Sequence, residues 1–587
     1  MMYSLVKFSG FMKPYWKVAM LGPILMALEV AMDLFQPRLM QHIVDVGIVQ
    51  RDSSTVFNTS GLMIFVAFLG VLAGLGGGFF AVRASQLFGA DLRSALYKKV
   101  QSLSFGNLDK LGTGELVTRL TNDVTQVQDA VFLCLHILVR APLMVTGCVI
   151  MATFTSPGLS LMFLILVPSL IAVLVLVVRK TYLAFGAVQQ GVDSLNTVML
   201  ENLAGVRVVK AFVRGKYEKS RFYDSNTRLK DNMVSALRVA ALTTPAAMLL
   251  VNVSIVYVLW AGGLRVNNGS LQVGEIIAFT NYLTQVLSGL MMFSMLASRV
   301  SRAAASAKRL LEVLASTPEV RYEGDTRQAA ISNGKVVFEN VCFTYGGQTS
   351  RAVLSGIRFT AEPGQTIAIV GATGAGKSSL INLIPRFYDV SSGRIVIDGV
   401  DVRTLAQKTL RENITVAMQE VVLFSGTIRE NIAYGRPDAG KDEIIQAAKA
   451  AQAHEFISTF PDGYETVLGQ RGVNLSGGQK QRISIARALI TKPKILILDD
   501  STSAVDVETE SKLQEALADV MKGRTCFVIA QRISTVLNAD KIVVLDEGKI
   551  AAEGTHEELL LSSPLYGEIF DSQLGQGLGV NKVAGHG

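Results

Sequence analysis

Eight consecutive residues, Gly371-Ala-Thr-Gly374-Ala-Gly376-Lys377-Ser378, have the types and spacing to hold phosphate. They follow the β-type run TIAIV and precede the helical run SLINLI, the strand–loop–helix setting that a phosphate-binding loop requires. Glycines let successive backbone N–H groups converge on one anion, and the start of a helix adds positive potential. Lys377 is expected to reach the β- and γ-phosphates of a nucleotide, and the Ser378 hydroxyl to ligate Mg²⁺. A second apolar run, Ile495-Leu-Ile-Leu498, ends in Asp499-Asp500. It offers acids at the end of a buried strand: Asp499 to hold Mg²⁺ directly or through water, Asp500 to orient an attacking water.

Those residues need a sheet behind them, and the sequence from 334 onward supplies one. Short β-type runs (VVFENVCF, TIAIV, RIVID, KILILDD, TCFVIA, KIVVLD) alternate with helical stretches, the pattern of a parallel sheet covered by helices. This α/β domain is expected over 334–573. A linker over 316–333 precedes it, and a Gly-rich, disordered tail over 574–587 follows.

Residues 1–315 read differently. The 587-residue chain is 50% apolar and only 18% charged, with a mean hydropathy of +0.37. A soluble protein carries about a quarter charged residues. Six apolar stretches, at about 17–48, 60–88, 129–154, 157–180, 240–263 and 274–300, each approach or exceed the ~20 residues that cross a bilayer as helix. An all-α, six-helix transmembrane domain is therefore expected. Arg51 and Arg265 are the basic residues of the short gaps, whereas residues 83–120 hold six and residues 179–238 hold eleven. Basic loops remain in the cytoplasm, so the N-terminus, both long connections and everything after 302 are expected inside. Apolar residues in 196–221 recur at helical spacing, so the membrane helices should continue into the cytoplasm, pair and turn back.

The net charge of +8 fits this membrane topology, and with no zinc-finger spacing or aromatic–basic interleaving no nucleic-acid partner is expected. Cys134, Cys148, Cys342 and Cys526 form no CxxC pair and are read as buried thiols. The N-terminus lacks the short apolar core and cleavage site of a removable signal peptide. Glu29 and Asp33 share one face of the first span, and His136 and Arg140 one face of the third. A substrate or gating site, a structural ion pair, or a span boundary set in the wrong place would each account for such intramembrane charge.

Between the two chemical runs lies Leu475-Ser476-Gly477-Gly478-Gln479, directly before the helical KQRISIARAL. With this signature and the phosphate loop, nearly the whole chain resembles an ATP-binding-cassette (ABC) transporter of the exporter type. The resemblance implies an α/β P-loop nucleotide-binding domain fused to the membrane domain, in an integral, multi-pass protein of the bacterial plasma membrane. It implies ATP and Mg²⁺ as cofactors, membrane lipid around the spans, and a hydrophobic small-molecule substrate. It also implies a second half-transporter chain, whose bound ATP would be capped by Ser476, Gly477, Gly478 and Gln479. Gly371, Gly374, Gly376, Lys377, Ser378 and Ser379 would cradle this chain's own ATP, with Tyr345 stacked on adenine. Gln419 would sense Mg²⁺ and water, and Ser503 and Asp506 would couple the two sites. Segments near 117–125 and 200–212 would be the helices that dock on the ATP-binding domains.

The chain departs from the family pattern at two catalytic positions. Asp500 stands where the family has glutamate, and Gln531 where it has histidine. The shorter carboxylate mis-sets the distance to a water that must lie within ~2.6–3.2 Å, and the amide cannot relay a proton. Gln470 is a third, softer departure, where exporters often have glutamate. The pattern resembles the degenerate-site subunit of heterodimeric multidrug ABC exporters, an ATP hydrolase whose own site is weakly active. Two alternatives stand beside it: a homodimeric lipid or peptide exporter with working sites, and an ATP-gated regulatory subunit without uphill transport.

Overall fold

The computed structural model describes residues 7–321, 331–346, 352–499, 507–529 and 536–574. The chain up to Ala315 is helical, with α1 (Trp16–His42), α2 (Ser53–Ser102), α3 (Phe105–Leu111), α4 (Val124–Thr155), α5 (Phe163–Ala204), α6 (Val206–Ala211), α7 (Gly215–Ala241), α8 (Thr243–Asn267) and α9 (Val273–Ala315). Two compact units emerge. One comprises Met1–Gln101 with Gly114–Ala315, the other Ser102–Thr113 with Ser316–Gly587.

In the first unit, five stretches among the described residues are long and apolar enough to cross a membrane: Ser9–Ile48, Ser53–Ser102, Thr113–Thr155, Pro157–Ala204 and Gly215–Asn267. The long helix α9 follows them. The helices outrun the apolar stretches of the sequence. The 50 residues of α2 would extend ~75 Å at ~1.5 Å per residue, against a hydrocarbon layer of ~30 Å. Backbone hydrogen bonding continues past the apolar stretch because residues 90–102 include neither glycine nor proline to interrupt it.

The core of this unit lies where α4, α5, α8 and α9 meet, around Cys148, Phe163, Leu170, Val258, Phe279 and Tyr282. Tyr282 is fully buried, and its hydroxyl donates to the Leu34 carbonyl of α1 at 3.1 Å. Helices α1 and α2 approach closely where a Cβ on Gly77 would stand 3.2 Å from the Gly22 carbonyl oxygen, the close packing that small residues permit in membranes. Arg140 of α4 pairs with both acids of α1, Glu29 at 3.0 Å and Asp33 at 3.3 Å. A π-helical turn at Arg119–Asp123 precedes α4. There the buried Asp123 accepts from Arg309 Nε at 2.8 Å and from Ser306 Oγ at 2.8 Å, both on α9.

The second unit is built on two main sheets, and Gly426–Thr427 pairs with Val467–Leu468 in a small third one. The strands are β1 (Val336–Phe343), β2 (Leu354–Ala361), β3 (Thr366–Val370), β4 (Ser392–Ile397), β5 (Val400–Asp401), β6 (Ile414–Ala417), β7 (Ile495–Asp499), β8 (Thr525–Ile529), β9 (Lys541–Asp546) and β10 (Lys549–Gly554). The antiparallel sheet runs β2-β1-β4-β5, and the larger sheet β10-β9-β3-β8-β7-β6. The larger one is parallel from β9 to β6, with β10 antiparallel at its edge. Its central strands β7 and β8 are buried throughout, as continuous apolar runs require.

Helix α3 belongs to this second unit, although it precedes most of the membrane domain in sequence. Ser104 caps it reciprocally with Asn107, and Gly112, at φ 68°, ends it. The Phe105 ring packs on Phe387 with centroids 4.5 Å apart, and the Tyr388 hydroxyl donates to Asp109 at 2.6 Å. Lys110 pairs with Glu319 at 2.6 Å. The segment at 117–125, expected from the sequence to dock, is a separate stretch downstream of α3. Those residues lie in the first unit, as the turn leading into α4. Helical periodicity cannot locate a helix this short, because its seven residues barely complete two turns.

Candidate nucleotide-binding site

The phosphate loop leaves the C-terminal end of β3 and enters α10 (Lys377–Leu383). Two glycines are obligatory there. A Cβ on Gly371 would collide with the Leu545 carbonyl oxygen of β9. Gly376, at φ 99°, caps α10, and a Cβ on it would stand 2.8 Å from Leu354 Cδ2. The loop thus packs bare backbone against its neighbours while Gly374, at φ 87°, is exposed. Lys377 arches over the loop, its ammonium donating to the carbonyls of Gly371 (2.8 Å) and Ala372 (2.9 Å).

Asp499 closes β7, opposite Ile529 of β8 in the parallel ladder that also contains β3. Parallel strands bring their C-terminal ends to one edge of the sheet, where open α/β folds bind ligands. The Ser378 hydroxyl donates to Asp499 Oδ1 at 3.4 Å across that edge. Asp499 is buried. A hydroxyl facing a buried carboxylate is a hard-oxygen pair that fits Mg²⁺. Gln419 follows β6, the strand next to β7, and is exposed at the same edge.

Tyr345, partly exposed, is tied to the phosphate loop by a 3.0 Å hydrogen bond between its hydroxyl and Ser379 Oγ. Phe343 and Tyr388 meet its ring edge-to-face, at 4.7 and 5.3 Å between centroids. No sequence pattern points to Tyr388, which helps hold α3, as a brace for this ring; the two lie 43 positions apart.

The signature opens α11 (Gly477–Leu489). Ser476 is the N-cap: its N–H donates to Gln479 Oε1 at 2.9 Å, and its Oγ accepts from the Gln479 N–H at 3.3 Å. Ser476 and Gly477 are exposed at this helix start. At the far end of α11, Arg487 donates to the Asn431 carbonyl and side chain and to the Val422 carbonyl, each at 2.9 Å. Phe424 and Tyr434 stack with centroids 4.6 Å apart, and the guanidinium lies 5.7 Å from each ring. Burial pulls the Arg487 pKa below its usual value, with Tyr434 opposing. Arg487 and Asn431 fix the orientation of α11, yet neither belongs to a contiguous motif. Gln470 is exposed in a short turn before the signature. Asp500, Ser503, Asp506 and Gln531 lie outside the described residues.

Residues 20–291 match the ABC transporter transmembrane region, and residues 354–503 match the ABC transporter domain. The chain is 45% identical over 567 residues to YfiB of Bacillus subtilis strain 168, an uncharacterised ABC transporter ATP-binding protein, covering 97% of this chain and 98% of that one.

The chain belongs to the ABC transporter family.

It is also 34% identical to an ATP-dependent lipid A-core flippase of Chromobacterium violaceum, over 97% of each chain. Its fold matches a bacterial Atm1-family ABC exporter solved with ATP bound, at a TM-score of 0.78 and 28% identity, covering 96% of this chain and 99% of that one. This ABC transporter is an exporter-type half-transporter with membrane and ATP-binding domains in one chain. It is an integral, multi-pass membrane protein with a cytoplasmic ATP-binding domain. Domains of this family use ATP with Mg²⁺ and couple its hydrolysis to transport.

Proposed function

We propose that this ABC transporter is the weakly hydrolysing subunit of a heterodimeric exporter of hydrophobic or amphiphilic compounds, with α9 as its sixth membrane span. The observation that carries the reading is an intact binding apparatus beside a departing catalytic pair. Lys377 and Ser378 converge with Asp499 at the sheet edge, and the signature helix is capped. Asp500 and Gln531 stand where the family has glutamate and histidine.

When bound, Mg·ATP supplies the phosphate bond whose cleavage releases the paired domains. The residues of this chain divide the remaining work. Backbone N–H groups of the loop and Lys377 bind the phosphates, Ser378 and Asp499 hold the metal, and Tyr345 offers a ring face to adenine. Asp500 carries its carboxylate one CH₂ short of the position from which to orient water, and a misplacement of this size can cost ~10²-fold in rate. Ser476 and its glycines, at a helix start, suit the γ-phosphate of the partner's nucleotide. ATP binding would draw the two chains together and turn the membrane halves outward, and hydrolysis at the partner's competent site would reset them.

The test compares ATPase activity of the purified chain alone with that of the chain co-expressed with its neighbour-encoded partner. The chain alone should be nearly inactive, and Asp500→Glu should raise its rate ~10-fold or more. The assembled pair should be active only while Ser476 and Gly477 are intact. Brisk hydrolysis by the chain alone, abolished by Asp500→Asn, would instead establish a homodimer with working sites. The lipid A-core flippase likeness favours that second reading, with lipid as cargo.

A further inference from the structure

Among its described residues the membrane unit holds a charge cluster for which ATP chemistry has no use. Glu29 and Asp33 lie one turn apart on α1, and Arg140 of α4 reaches both. His136, one turn before Arg140, stacks on Phe132 with centroids 5.5 Å apart and an interplanar angle of 11°. The cluster is deep. At ~1.5 Å per residue, Glu29 is ~20 Å along α1 from Trp16, and Arg140 is ~17 Å along α4 from residue 129, where its apolar stretch begins. Ionised groups at that depth are costly unless they are paired or face a cavity or ligand.

The two acids are not equivalent. Glu29 is the inner one, its side chain 13% exposed. Its carboxylate is wedged against α2, where a Cβ on Gly74 would stand 2.9 Å from the carboxyl carbon. Oε2 of Glu29 and Nδ1 of His136 are buried and have no hydrogen-bond partner among the described residues. Asp33 is the outer acid, 36% exposed, and its contact with Arg140 is the longer of the two. With both carboxylates ionised, two negative charges face one guanidinium. Arg140 lies nearer Glu29, which leaves Asp33, the more exposed acid, the less closely paired of the two.

We propose that Asp33, backed by Glu29 and Arg140, forms a cation subsite in the membrane domain for a hydrophobic molecule carrying one positive charge. This assignment rests on the exporter reading above and adds a charge requirement to its cargo. An anion of the same shape meets the excess carboxylate and is disfavoured. Arg140 is a positioning residue here, because it acts by holding Glu29 and orienting Asp33.

Tetraphenylphosphonium and tetraphenylborate share shape and differ in charge. Equilibrium binding of each to the purified full chain in lipid nanodiscs tests the subsite. The expected result is saturable tetraphenylphosphonium binding that Asp33→Asn weakens by at least ~10-fold, the ratio of about 1.4 kcal/mol. Asp33→Glu, which keeps the charge, should stay within ~3-fold of the wild type, a difference of well under 1 kcal/mol. Tetraphenylborate binding should not fall in Asp33→Asn. Equal cation binding by wild type and Asp33→Asn, or no saturable binding by the wild type, overturns the proposal. A lowered melting temperature in both variants with unchanged binding per folded molecule also overturns it, and leaves the cluster a structural ion pair. ATP-dependent uptake of a neutral dye, Nile red, into inside-out vesicles bearing the assembled pair is scored separately. Uptake without a dependence on Asp33 for the cation keeps the exporter reading and rejects the subsite. No uptake of either dye or cation rejects the exporter reading itself.

Discussion

Four consecutive backbone N–H groups, from Ser332 to Lys335, donate to the single carboxylate of Asp398, at 2.9, 2.9, 3.1 and 2.8 Å. Partial burial pushes this carboxyl pKa up, but the four donors outweigh it and hold the group below the usual carboxylate range. A depressed folded-state pKa stabilises the fold above the unfolded value of ~3.9, and that contribution is lost as pH falls through the folded value. Asp398→Asn should therefore cost about 1–2 kcal/mol at pH 7, allowing for partial exposure. In thermal melts the gap to wild type should hold from about pH 6 to about pH 4 and shrink as pH falls below the unfolded value of ~3.9. A gap independent of pH would assign the effect to shape instead of charge. The chemically reactive residues make the opposite case for the sequence. The meeting of Ser378 with Asp499 at one sheet edge can be anticipated from the order of residues alone, because the roles proposed for Lys377, Ser378 and Asp499 need only neighbours in the chain or the end of one strand.

Elements are legible when one period runs long enough. The apolar stretches of the membrane helices and the β-type runs of the sheet can be found this way. Their partners cannot. Tyr388 and Asp109 are separated by 279 positions, yet they hold α3 in its place. Burial and then the bond to Asp109 raise the Tyr388 hydroxyl pKa, so it remains a donor at any physiological pH. Tyr388→Phe should remove about 1–2 kcal/mol of docking. Amide hydrogen exchange over 105–111 should rise ~5–30-fold, the ratio for that energy. Unchanged exchange would mean that the Phe105–Phe387 contact suffices. Arg487 teaches the same lesson at the signature helix: its brace is assembled from Val422, Asn431, Phe424 and Tyr434, a set that folding brings together.

For the whole molecule, the tip between α5 and α7 bears on assembly. Phe212 is 75% exposed and Val213 is 86% exposed there, among Arg207, Lys210, Arg214 and Lys216. Two adjacent large apolar side chains in a basic cytoplasmic turn suit a protein partner better than water. Phe212→Asp should lower ATPase activity of the assembled pair several-fold while nucleotide binding by the isolated chain persists, and Phe212→Leu should restore it. Full activity in Phe212→Asp would remove the tip from the coupling path. The position of α3 has a different consequence, for how such molecules exchange parts. A recombination joint at residue 316 looks like the natural seam between a membrane half and a motor half. The motor nevertheless carries a patch taken from residues 102–113, matched to it by Phe387, Tyr388 and Glu319. Inheritance of the two halves is therefore interlocked. A motor grafted from a relative needs its own version of that segment, inserted far upstream, before it can drive its new host.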